Sequence, residues 1–107
     1  MVAIDTVIGK KLEALDQLVS QFHEGGANGG PDLMPADPEG RKARSRQVLD
    51  YFRNRQKGLR SRFPDQVVAW YGAANADSIA YIEAFEICEY GRRPDKAELK
   101  RLFPFLP

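Results

Sequence analysis

The groups in this chain that could do chemistry are one histidine, one cysteine, four serines and a spaced set of carboxylates. His23 is followed directly by Glu24, and together they could serve as a general base. A zinc hydrolase site needs three protein ligands, commonly including histidines, and one histidine does not supply it. Ser20, Ser45, Ser61 and Ser78 share that single histidine as a partner, so a nucleophile–base pair lacks inventory. A lone histidine beside a glycine run reads as an idle surface residue. Glu83, Glu86 and Glu89 could gather at a cation, but helical spacing puts Glu86 and Glu89 partly on one outward face, a solvated stripe. Cys88 stands alone, which excludes an internal disulfide and a multi-cysteine metal site. It lies in an apolar run and reads as a small buried hydrophobe, with no histidine near it in sequence to activate the thiol.

Two further patterns point to phosphate. Gly25-Gly26-Ala27-Asn28-Gly29-Gly30-Pro31 is glycine-rich enough to cradle an anion. No strand precedes it and no Gly-Lys-Ser/Thr follows, so the motif is incomplete. Arg41, Lys42, Arg44, Arg46, Arg53, Arg55, Lys57, Arg60 and Arg62 face Asp50 alone across their span. That is the pattern of a nucleic-acid-binding helix. A net charge of +1 favours a solvated or internally paired helix instead. Tyr51 and Phe52 read as apolar-face residues rather than an exposed stacking platform.

The elements that would hold these groups are mostly helical. Val7, Ile8, Leu12, Leu15, Leu18, Val19 and Phe22 recur at three- and four-residue steps. That spacing predicts a helix over 5–23, with Asp5 or Thr6 as its cap. A Gly/Pro loop spans 24–37. Asp37 as N-cap with Pro38 in the first turn starts a basic helix over 38–63. A short helix over 64–72 follows Pro64. The stretch "IEAFEICEYGRRP" (Ile82–Pro94) is ambiguous: Phe85 and Ile87 alternate as in a strand, while Ile79, Ile82 and Phe85 fit a helix. Ala and Glu favour helix, and Gly91 with Pro94 resembles a helix stop. The expectation is a helix over 76–90, capped by Asn75 or Asp77. Asp95 with Glu98 three residues on has capping-box spacing and starts a last helix over 95–103.

The 107 residues bound a single, partial domain over 1–107. Asp5, Lys10 and Lys11 interrupt any signal-type apolar run, and no segment reaches membrane-span length. The expected location is the cytoplasm, with no membrane partner.

Ile4-Asp5, Lys11-Leu12-Glu13-Ala14-Leu15, Ser20-Gln21-Phe22, Tyr81 through Gly91 and Leu102-Phe103-Pro104-Phe105 carry a resemblance. In type and order they resemble the C-terminal portion of bacterial PIG-L/LmbE-type deacetylases, over nearly the whole chain. The resemblance implies a mainly α piece of three to five helices with a long Gly/Pro loop. It would correspond to the C-terminal helical region of a Rossmann-like α/β enzyme that hydrolyses N-acetyl groups, often on amino sugars, with zinc. In that family an N-terminal Ala-His-Pro-Asp-Asp-Glu motif and a later histidine hold the metal. Neither is present, and Leu18 stands where the family has a histidine two residues before Ser-Gln. The resemblance therefore transfers no catalytic residue and no metal ligand. It places Gln21, Glu24 and Glu83 at the pocket edge or in support of it. The chain is then expected to bind no cofactor and to be inactive alone. Its expected partner is the missing N-terminal deacetylase domain, on which the 76–90 helix would dock, or a second copy of itself. The alternative functions are a stand-alone helical interaction module and, more weakly, nucleic-acid binding through Arg41 to Arg62.

Overall fold

A computed structural model describes residues 1–107. The chain is mainly α, with five α-helices and one pair of two-residue strands. It divides into two compact units, residues 1–5 with 59–107, and residues 6–58. No helix is long and apolar enough to cross a membrane.

In the first unit, strand β1 (Val2–Ala3) pairs antiparallel with β2 (Ile82–Glu83), Val2 opposite Glu83 and Ala3 opposite Ile82. The pairing continues as Ile4 N–H donates to the Tyr81 carbonyl at 3.0 Å. Asp5 Oδ1 accepts from the amides of Ala80 at 2.8 Å and Tyr81 at 3.3 Å. Beneath the strands, Val67, Ala76 and Ile82 are fully buried, with Leu59, Phe63, Tyr71 and Ile79 packed against them. Burying Ile82 alone contributes about 2–3 kcal/mol. Helix α3 (Pro64–Tyr71) begins on a proline, which fits a first turn that needs no amide donor. Gly72, at φ 79° and ψ 154°, turns the chain into the one-turn helix α4 (Ala73–Ala76), a conformation that favours glycine. The Tyr71 hydroxyl accepts from Ala3 N–H at 2.7 Å, tying α3 to β1. Arg60 donates to the carbonyls of Ile79 and Ala76, satisfying acceptors left at the end of α4.

The expected helix over 76–90 does not form. After Ala76 the chain turns, pairs as β2, and runs irregularly through Cys88 to a turn at Glu89–Tyr90. Neither the alternation of Phe85 and Ile87 nor the helix propensity of Ala and Glu decides the conformation here, since the strand stops at Glu83. Asp5 takes the Ala80 and Tyr81 amides, and residues 2–3 take β2, so tertiary hydrogen bonds occupy the donors a helix would have used. Neither Asn75 nor Asp77 caps a long helix. Cys88 is exposed, not buried.

The second unit opens with α1 (Ile8–Asp16), which buries Leu12. Its N-cap is Val7 with no side-chain hydrogen bond, so neither Asp5 nor Thr6 caps it. The expected helix over 5–23 is broken at Leu18, whose ψ of 62° leaves the helical range. A single π turn, Val19–His23, follows, closed by Glu24 N–H donating to the Val19 carbonyl at 3.0 Å. The Gly/Pro segment holds two short 3-10 turns, Gly26–Asn28 and Pro31–Leu33.

Helix α2 (Pro38–Arg62) is the longest element, and its residues through Gly58 belong to the second unit. Asp37 Oδ1 accepts from Gly40 N–H at 2.7 Å, which satisfies one of the orphan donors at its start. Helix α5 (Lys96–Leu102) in the first unit begins in the same way, Asp95 Oδ1 accepting from Glu98 N–H at 2.8 Å.

Candidate functional site

The π turn gathers the chemistry-bearing residues of the second unit. Such turns are rare and recur at functional sites because the extra residue re-aims side chains. Here Phe22 meets Phe52 edge-on at 4.6 Å between ring centres, and His23 is driven inward until only 2% of it is exposed. The expectation of a surface position for His23 is wrong.

Asp16 is the hub around it. Asp16 Oδ1 accepts the Ser45 hydroxyl at 2.7 Å and lies 3.1 Å from His23 Nε2. The approach of Nε2 is out of line for N–H donation, so neither ring nitrogen has a well-formed hydrogen bond. Arg44 Nε closes the cluster by donating to the His23 carbonyl at 3.0 Å. The order is serine–aspartate–histidine, with the carboxylate in the middle. A nucleophile needs the base beside it, so this arrangement does not activate Ser45. Asp16, Ser45 and Arg44 were not visible as His23's partners.

Gln21 and Glu24, the sequence-derived edge residues, come together. Both line an open cleft of about 460 Å³ with Ser20, Gly26, Gly29 and Gly30. Gly29 is required there, because a side-chain carbon on it would overlap the Glu24 carbonyl oxygen. Gln21 also lines a second cleft of about 480 Å³ with Phe22, Arg44, Gln47, Tyr51 and Phe52. Glu83 is not in this group; it lies on β2 in the other unit.

The basic helix spends much of its charge on the protein itself. Arg41 donates to the Pro35 carbonyl, Arg44 to His23, Arg53 to Asp50 at 2.6 Å, and Arg60 to Ile79 and Ala76. Arg62 lies over the Phe63 ring.

The zinc that the family resemblance implies does not fit these residues. No three His, Cys, Asp or Glu side chains stand close enough to hold a metal ion. No protein-family model matches the chain, and neither a curated protein nor a solved structure is similar to it.

Proposed function

We propose that this chain is the helical, pocket-edge part of a PIG-L-type N-deacetylase and performs no hydrolysis by itself. The observation that carries the reading is the convergence of Gln21 and Glu24 on one glycine-walled cleft. These are two of the three residues that the resemblance puts at the edge of the pocket. The buried His23 in the same turn supports it: poorly satisfied buried polar groups persist where function over-determines the structure.

In this role the amide of Gln21 and the carboxylate of Glu24 offer a donor and acceptors to hydroxyl and acetamido groups of an amino sugar. They orient substrate, while the metal ligands and the base come from residues outside these 107.

The test mixes the purified chain with the metal-binding N-terminal domain of a PIG-L-type enzyme and follows acetate release from N-acetylglucosamine conjugates. Release is expected from the mixture and not from the chain alone. Gln21→Ala and Glu24→Ala should each lower the rate about tenfold, near 1.4 kcal/mol of lost orientation. Hydrolysis by the chain alone, abolished by His23→Ala, would reverse the conclusion.

A further inference from the structure

Between residues 41 and 57, all inside the second unit, helix α2 carries seven bases against Asp50 alone. Part of the charge it does not spend on the protein lies beside an aromatic ring. Arg44, Tyr51 and Arg55 follow each other at seven and four residues, which sets all three along one side of the helix. No acid of α2 falls on that side. Asp50 lies about a third of a turn round the helix from Tyr51 and is held by Arg53 at 2.6 Å.

The ring is open to a ligand. Tyr51 is 60% exposed, so the expectation that it lies on the apolar face is wrong. Phe52 meets it edge-on at 5.2 Å, and Phe22 in turn packs on Phe52. The packing orients Tyr51 and leaves most of its surface bare. Beside it runs the cleft of about 480 Å³ whose wall includes Arg44, Gln47, Tyr51 and Phe52. That volume falls in the ordinary range of ligand sites, about 300–1,000 Å³. Arg44 uses Nε on the His23 carbonyl, which pins the guanidinium at the cleft and leaves further N–H donors for an anion. Arg55 is exposed, and the ion pairs Lys42–Glu39 and Arg53–Asp50 leave it out.

From this juxtaposition we infer that α2 binds single-stranded nucleic acid, a base seated in the cleft against Tyr51 and backbone phosphates on Arg44 and Arg55. An open ring between two cations matches both parts of such a strand, since every base has a flat face to stack and every link a negative charge. Gln47 adds an amide donor and acceptor for a base edge. A duplex keeps its bases stacked on one another and has none to lend Tyr51 without unpairing. An anionic membrane would need apolar side chains beside the cations. Those of α2 face the other way: Val48 is buried and Phe52 packs on Phe22. The first unit also has a groove, of about 610 Å³, lined by Trp70, Phe85, Leu99 and Phe105. It is apolar and selects no one partner, whereas the cations of α2 fix the charge of theirs. The inference stands apart from the deacetylase reading, which rests on Gln21 and Glu24 and is judged by acetate release.

The test is fluorescence anisotropy of the intact chain with end-labelled oligothymidylate and oligouridylate of about 12 nucleotides, and with a DNA duplex of the same length. Both single strands should bind more tightly than the duplex. Each phosphate neutralised adds about −0.7 to the slope of log affinity against log salt, so Arg44 and Arg55 require at least about sevenfold weakening between about 50 and 200 mM salt. Arg55→Gln should flatten that slope by about 0.7. Tyr51→Ala should weaken binding at least about fivefold, and Tyr51→Phe, which keeps the ring, should bind as wild type does. Absence of binding to either strand overturns the inference. A duplex bound as tightly as the strands, with Tyr51→Ala without effect, also overturns it, because charge alone is then read. Phosphatidylserine vesicles that take the chain from the oligonucleotides at equal charge would assign the face to a membrane and overturn it too.

Discussion

Asp16 Oδ1 stands 3.1 Å from Nε2 of His23, a ring almost wholly removed from water, while accepting the hydroxyl of Ser45 at 2.7 Å. One carboxylate oxygen thus bonds a side chain of α2 and stands close to the ring of the π turn without a well-formed hydrogen bond to it. Asp16→Ala should strand the Ser45 hydroxyl, and is expected to destabilise the second unit by about 1 kcal/mol, the usual net worth of one such hydrogen bond. Urea unfolding would measure it. Ser45→Ala removes only one donor and should cost less.

Ile82 is fully buried at the centre of the first unit's core. Replacing it by alanine removes packing on α3 and α4 and leaves a cavity. The expected loss is about 2–4 kcal/mol by thermal or urea melting. A loss near zero would mean that the strand pair is not part of the folded core.

Gly58 lies inside α2, is exposed, and has open space where a side chain would grow. Gly58→Ala should therefore stabilise the helix by about 0.5–1 kcal/mol, through backbone entropy alone. Gly29→Ala makes the opposite case, since its side chain would strike the Glu24 carbonyl. It is expected to disturb the cleft and lower any activity that depends on Glu24, and circular dichroism with the acetate assay would separate the two effects.

Burial pushes the Met1 α-amino group below the ordinary range for a terminal amine. The folded state then disfavours its charged form. The cost is fully present below the lowered native value and vanishes above the ordinary one, near about 8, so stability should rise with pH through that window. Melting temperatures between about pH 6 and pH 9 should show the rise, and Nα-acetylation should remove it.

What the sequence reveals about this fold depends on how local the cause is. Asp37 with Pro38, and Asp95 with Glu98, are readable as helix starts because the cap and its donor are three residues apart. Mainly helical character is readable for the same reason. Residues 76–90 are not: Asp5 and Val2–Ala3 decide their conformation from about eighty positions away, and no local propensity reports that. The same blindness hides Asp16 and Ser45 around His23, which belong to different elements. Gln21 and Glu24 share a cleft because they are three residues apart in one stretch of chain, whereas Glu83 lies in the other unit.

Lys96 holds its ammonium 4.7 Å from the ring centre of Trp70 while donating to the carbonyl of Ala69. Because Trp70 is the sole indole in the chain, the apolar groove carries its own optical reporter. A molecule settling over that ring would shift its emission to shorter wavelength, and Lys96→Met would brighten it by removing a nearby cation, so occupancy can be followed without any attached dye.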